Sequence, residues 1–203
     1  MKNIRTLTDF QKDALKEVGN IGIGHATTSL SKMVNKKVGV SLPDMKLIPL
    51  LDVPALVRNE DPVVGIILQL TGEANGFMML LLSKRTAKTL IKLIYGQSDE
   101  TQGFDEMEVS VLKEMANIMG GTYISSLSNF LSISISSSTP SQAYDMSDAI
   151  IDQVLGFMGA DVNDVLFLKT EFFINEEQVD GNILIFTDSD SLRFMLDAIN
   201  RMV

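Results

Sequence analysis

The chain repeats itself. Residues 13–43, DALKEVGNIGIGHATTSLSKMVNKKVGVSLP, align without a gap on residues 110–140, SVLKEMANIMGGTYISSLSNFLSISISSSTP, at a constant offset of 97 and with eleven positions identical. The identities include Glu17 with Glu114, Asn20 with Asn117, Gly24 with Gly121 and Pro43 with Pro140. Self-similarity at fixed spacing means that two segments solve the same packing problem, so the fold is expected to contain one unit twice.

The likeness continues beyond the identities. Each helical segment is followed by two apolar, strand-like runs, VVGIILQL and GFMMLLLS in the first half and VLFLKTEFFI and GNILIFTD in the second. Each half then closes with a short amphipathic helix, TAKTLIKLIY (86–95) and SLRFMLDAIN (191–200), and the polar stretch GQSDETQG (96–103) joins the halves. The strands of one half are too few for an independently stable sheet. The expected architecture is therefore one α/β (α+β) domain spanning 1–203, made of pseudo-symmetric halves 1–100 and 101–203, with two separate domains as the alternative. The second half carries an additional helical segment, YDMSDAIIDQVLGFMGA (144–160), whose counterpart around LLDVPALV is shorter and expected to be broken by Pro54.

At 100° per residue, Asp13, Glu17, Asn20 and Gly24 fall within about 60° of one another, whereas Leu15, Val18, Gly22, Ala26, Leu30 and Met33 gather on the opposite side. The second copy repeats this with Ser110, Glu114, Asn117 and Gly121 opposite Leu112, Met115, Met119 and Leu127. An i, i+3 spacing brings Glu and Asn within roughly 5 to 6 Å at Cβ, close enough to act on one small target. Polar residues on an exposed helix face are ordinarily no more than solvated. Solvation alone does not demand the same two residue types at the same spacing twice, although a recent duplication would also preserve them. Glycine inside such a stripe costs a helix about 1 kcal/mol and leaves room for another surface to approach.

Composition excludes several classes of function. The absence of cysteine rules out disulfides, thiol catalysis and thiolate metal sites, and fits a reducing compartment. The net charge of -9 opposes binding to nucleic acid. Charge is uneven, with 13 Lys/Arg against 10 Asp/Glu in residues 1–100 and 4 against 16 in residues 101–203. Such asymmetry fits different partners for the two halves, or simply a solvated acidic face. The charged start, MKNIRTLTDFQKD, lacks the apolar core of a signal peptide, and no run approaches the roughly 18 apolar residues of a membrane span, so a cytoplasmic protein without membrane association is expected.

The spacing (D/S)-x-x-x-E-x-x-N, followed by 22 residues and Pro, occurs twice, as Asp13, Glu17, Asn20, Pro43 and as Ser110, Glu114, Asn117, Pro140. In this the chain resembles the CheC family of chemotaxis phosphatases, related to CheX and to the phosphatase part of FliY. Two intact motif copies resemble CheC more than single-motif CheX, and FliY would add a motor domain after the position where this chain ends. The resemblance implies long exposed helices on an antiparallel sheet, and removal of the phosphoryl group from the aspartyl phosphate of a CheY-type response regulator. It also implies Asn20 and Asn117 as water-orienting groups and Glu17 and Glu114 as partners of the regulator's active-site lysine. Asp13 and Ser110 would support the helix or touch the partner, and Pro43 and Pro140 would take turn or strand-end roles. No cofactor of its own is implied; Mg²⁺ belongs to the phosphorylated regulator. The receptor deamidase CheD is the implied second partner, expected around Asp145 and Met146.

Some features depart from the family pattern or point elsewhere. The family reads closer to GNIGAGNA where this chain has Ile23 and His25, and Ala116 replaces a glycine in the second copy. The string GNIGIG lacks the preceding strand and the Gly-Lys-Ser/Thr element of a phosphate loop. His25 is the only histidine, which leaves a zinc site or a Ser-His-Asp triad without partners, and is expected to be a semi-buried helix residue. The 12 methionines read as core filler. Two other readings compete with the phosphatase: an adaptor that binds CheD with weak catalysis, and hydrolysis of a small molecule by Glu17 and Glu114 as paired carboxylates. The last is disfavoured because each glutamate has its own asparagine on its own helix.

Overall fold

The computed structural model describes residues 7–99, 102–159, 161–174 and 177–202. Each repeat opens with a 26-residue helix, α1 (Asp9–Val34) and α4 (Glu106–Leu131), and the two helices begin and end at equivalent positions of the repeat. Their ends are equivalent too. Thr8 Oγ1 accepts a bond from the Gln11 N–H (3.2 Å) while Gln11 Oε1 accepts one from the Thr8 N–H (2.9 Å). In the second copy Asp105 Oδ1 accepts from the Glu108 N–H (2.8 Å) and Glu108 Oε2 from the Asp105 N–H (3.2 Å). These reciprocal capping boxes satisfy N–H groups that a helix start otherwise leaves without partners. At the far ends Asn35 and Ser132, short polar residues, adopt left-handed backbone at φ 50° and 53°.

Among the described residues seven strands, β1 (Val38–Pro49), β2 (Val63–Gly72), β3 (Gly76–Ser83), β4 (Ile135–Ser137), β5 (Ser141–Asp145), β6 (Asp164–Ile174) and β7 (Glu177–Thr187), form one antiparallel sheet. Its order is β1-β6-β7-β3-β2, with β4 and β5 both pairing the outer side of β2. The halves therefore exchange strands: β1 of the first half pairs the β6–β7 hairpin of the second, and β4 and β5 of the second pair the β2–β3 hairpin of the first. The two hairpins meet at the β3–β7 pairing in the middle.

Both faces of this sheet are covered. On one face Ile66, Leu68, Met78 and Leu80 pack with Val18 and Leu30 of α1 and Met115 and Leu127 of α4, together with apolar residues of α3 (Lys84–Tyr95) and α6 (Ser189–Asn200). On the other, Ile67, Met79, Leu81 and Phe186 pack with α2 (Val53–Val57) and α5 (Ser147–Met158) through Val53, Val57, Ile150 and Val154. Burial on both faces is why β2 and β3 read as unbroken apolar runs instead of alternating ones. The two long helices touch directly. A Cβ at Gly22 would stand 2.9 Å from the Tyr123 Cα, so only glycine permits that approach.

The structure differs from the sequence reading in several places. Three strands beyond the two apolar runs per half are present, β1, β4 and β5. Pro54 lies in the first turn of α2, where its missing N–H has no intrahelical partner to lose, so it opens the short helix and does not break it. Tyr144 and Asp145, expected to be helical, end β5; the helix begins at Ser147, and residue 160 lies outside the described residues. Residues 100 and 101 of the polar joining stretch also lie outside them. Met33, expected in the core, is exposed, because the buried stripe of α1 advances in steps of four through Val18, Gly22, Ala26 and Leu30 to Val34, away from position 33. His25, expected to be semi-buried, is exposed.

One buried ion pair fixes where the second repeat starts. Lys88 of α3 is buried, donates to Glu108 Oε2 (2.7 Å) and to the Gly103 carbonyl (2.6 Å), and lies 4.7 Å from the centre of the Phe104 ring. Ser98 donates to the other Glu108 oxygen. Burial pushes the Glu108 carboxyl up, but the bonds from Lys88, Ser98 and the Asp105 N–H, with the lysine charge, outweigh it and hold the carboxyl below its ordinary value. A lowered carboxyl contributes stability above its unfolded value that is lost as pH falls through the folded one. We expect Lys88→Met to lower unfolding free energy at pH 7 by about 3 kcal/mol, since it strands a buried carboxylate. Glu108→Gln should flatten the acid limb of a urea-midpoint against pH curve relative to wild type.

Candidate functional site

The stripe singled out by periodicity faces solvent. Asp13, Glu17, Asn20 and Gly24 of α1 are all exposed, between buried Ala14, Leu15, Val18 and Gly22. In α4, Ser110, Glu114 and Asn117 are exposed and Gly121 is half-buried, between buried Leu112, Met115 and Met119. Helix geometry then puts each Glu-Asn pair side by side on the outer surface. Among the described residues, none of these four side chains is held by a hydrogen bond or ion pair within the chain. Their polar ends are free for a partner.

The motif proline belongs to the same neighbourhood. In the first half Pro43 sits within β1, on the sheet edge, where the pairing with β6 shifts register between Ser41 and Asp44. In the second, Pro140 falls between β4 and β5, which pair β2 at Ser137↔Leu70 and Ser141↔Ile67. A proline has no N–H to give a ladder, so it interrupts the strand at the same repeat position twice. Pro43 is thus a mid-strand bulge residue, not the turn or strand-end residue expected, whereas Pro140 immediately precedes a strand. The interruption leaves Thr139 and Pro140 beside α4, where they line an open cleft of about 370 Å³ with Ser110, Lys113, Glu114 and Asn117. All four motif residues of the second copy therefore share one cleft.

Lys113 was not among the residues singled out, although its signal was present: Leu-Lys-Glu is identical in both repeats, as 15–17 and 112–114. It is the only basic residue of α4. A larger opening of about 660 Å³ lies at the joining stretch, lined by Lys88, Ser98, Gly103 and Glu108, but these groups are already bonded to one another. Among the described residues no group of three or more His, Asp or Glu is placed to hold a metal. Asp145 ends β5 and Met146 caps α5; both are exposed, on different elements from the Glu-Asn pairs.

The glycines separate into two kinds. Gly22 and Gly120 lie against neighbouring atoms, the Tyr123 backbone at 2.9 Å and the Leu68 side chain at 3.1 Å from an added Cβ. Gly24 and Gly121 meet nothing within 4 Å and have no left-handed backbone. They are glycines that the fold does not require, at a cost to helix stability of about 1 kcal/mol each.

The chain is similar to the CheC family of chemotaxis phosphatases: residues 10–46 match the CheC-like family model and residues 64–155 match that of the chemotaxis phosphatase CheX. It is 27% identical over 199 residues to the CheY-P phosphatase CheC of Bacillus subtilis, covering 95% of each chain. It is 29% identical over 138 residues to the flagellar motor switch phosphatase FliY of the same organism, covering 66% of this chain and 35% of FliY. The crystal structure of Thermotoga maritima FliY superposes with a TM-score of 0.78 at 25% identity, over 97% of this chain and 99% of that one. The middle domain of Helicobacter pylori FliM has the same fold at 10% identity, with a TM-score of 0.70 over 95% of this chain and 99% of that one.

Because the asparagines are exposed and unbonded, Asn20→Ala and Asn117→Ala should each change unfolding free energy by no more than about 0.5 kcal/mol in urea denaturation.

Proposed function

We propose that this chain hydrolyses the aspartyl phosphate of a CheY-type response regulator at two sites, Glu17–Asn20 and Glu114–Asn117. The observation that carries the reading is the doubled Glu-Asn pair, exposed and unbonded at equivalent positions of two matching helices. Likeness to a curated CheY-P phosphatase over 95% of both chains supports it.

The chemistry needs little beyond such a pair. An acyl phosphate is a reactive electrophile, and in the regulator Mg²⁺ and a lysine already neutralise its oxygens. What hydrolysis lacks is a water held in line with the bond to be broken. The Asn carbonyl accepts a hydrogen bond from that water without placing a negative charge beside the phosphoryl group, which a carboxylate would do. The water oxygen bonds to phosphorus, the bond from phosphorus to the aspartyl oxygen breaks, and carboxylate and inorganic phosphate leave, the water's proton passing to phosphate and solvent. Glu17 and Glu114 pair with the regulator's lysine and set the depth to which the amide enters. Asp13 and Ser110, one turn earlier, border the contact. The chain supplies no cofactor; Mg²⁺ arrives with the regulator. The reaction belongs in the cytoplasm, where response regulators work; among the described residues no helix is long and apolar enough to cross a membrane.

A second contact, with the deamidase CheD, fits the β5–α5 corner. Tyr144 and Met146 are large apolar side chains exposed there on either side of Asp145. Met146→Glu should abolish co-elution with CheD and leave dephosphorylation unchanged.

The decisive kinetics use phosphorylated regulator in the presence of Mg²⁺. Asn20→Ala and Asn117→Ala should each remove part of the activity, and the double variant should lose about a hundredfold or more while still folding and binding. Glu17→Ala and Glu114→Ala should chiefly raise the regulator concentration needed for half-maximal rate. A double-asparagine variant that binds and hydrolyses at the wild-type rate would overturn the reading.

A further inference from the structure

Asparagine is short. For its amide to reach a phosphoryl group recessed in another protein, the helix that carries it must come almost to backbone contact with that protein. The residue four positions on lies on the same face and next meets the partner. In α1 that residue is Gly24 and in α4 it is Gly121, each four after its asparagine. Neither is explained by the fold. An added Cβ would meet nothing within 4 Å at either position, and neither backbone is left-handed, whereas Gly22 and Gly120 of the same helices are explained by their neighbours.

We propose that Gly24 and Gly121 are clearance positions that set how deeply Asn20 and Asn117 enter the phosphorylated regulator. The inference rests on the phosphatase reading and adds positioning residues to those sites. A methyl group here would hold the two surfaces apart by a distance comparable to its own radius. A displacement near 1 Å is enough to cost on the order of a hundredfold in a reaction that depends on an in-line water.

The inference predicts opposite signs for stability and activity. In the Asn117→Ala background Gly24→Ala reports on the first site alone, and in the Asn20→Ala background Gly121→Ala reports on the second. Each should raise Tm by about 2–4 °C, since alanine is the better helix former and has room. Each should lower kcat/KM for the phosphorylated regulator by about tenfold or more, and Gly→Leu at the same positions should abolish activity. Gly156→Ala is the control: this exposed glycine of α5 also meets nothing within 4 Å, so Tm should rise with kcat/KM unchanged. Alanine variants as active as their parents would overturn the inference and leave the phosphatase reading standing. A fall in Tm with activity would also overturn it, since it would make the glycines structural. Wild-type protein that neither binds nor dephosphorylates the regulator would overturn both.

Discussion

Each half of the repeat completes the other half's sheet. β1 leaves α1 and pairs β6, while β4 and β5 leave α4 and pair β2, so the edges of the sheet are always supplied by the opposite copy. This exchange places α1 and α4 side by side over one face of the sheet, where Gly22 packs on the Tyr123 backbone. Their apolar sides are then committed to the core, and the Glu-Asn stripes are left outside. The exchange also explains the distant proline of the motif. Each proline interrupts an edge strand at the same step, and in the second copy that interruption forms one wall of the cleft beside Glu114 and Asn117. An edge strand broken in this way is also a poor template for pairing with other chains.

Much of this was legible from the repeat. Helical periodicity with a constant offset put the Glu-Asn pairs on the outer faces, and the paired apolar runs became the two central hairpins. The exchanged strands were not legible. β1 contains Pro43 and alternates only loosely, and β4 and β5 fall in ISSSTPSQAYD, a serine-rich stretch that reads as loop. Edge strands bury little, so their residues carry a weak apolar signal, and their pairing depends on partners from 63 residues away (Gly72↔Ile135) to 136 (Val38↔Ile174). The buried Lys88 was equally hidden, because only the tertiary meeting with Glu108 and the Gly103 carbonyl makes such a position tolerable. Met33 shows a limit of the helical wheel: over 26 residues the buried stripe drifts far enough to exchange position 33 for position 34.

Rigidity and reactivity are thus divided within each long helix. The capped ends and the buried side hold the helix in place, and the outer side carries a Glu-Asn pair that, among the described residues, bonds to nothing within the chain, and a glycine with no packing reason. Features that cost stability and gain nothing inside the chain mark where another molecule is expected.

The proposed removal of phosphate from a response regulator by this surface is tested by the decay of a phosphorylated CheY-type regulator in Mg²⁺ with and without the wild-type chain. Decay is expected to be faster in its presence, at substoichiometric amounts and with no metal bound to the chain itself. Equal decay with and without it, at concentrations where binding to the phosphorylated regulator is demonstrated, would rule out a phosphatase and leave a binding protein.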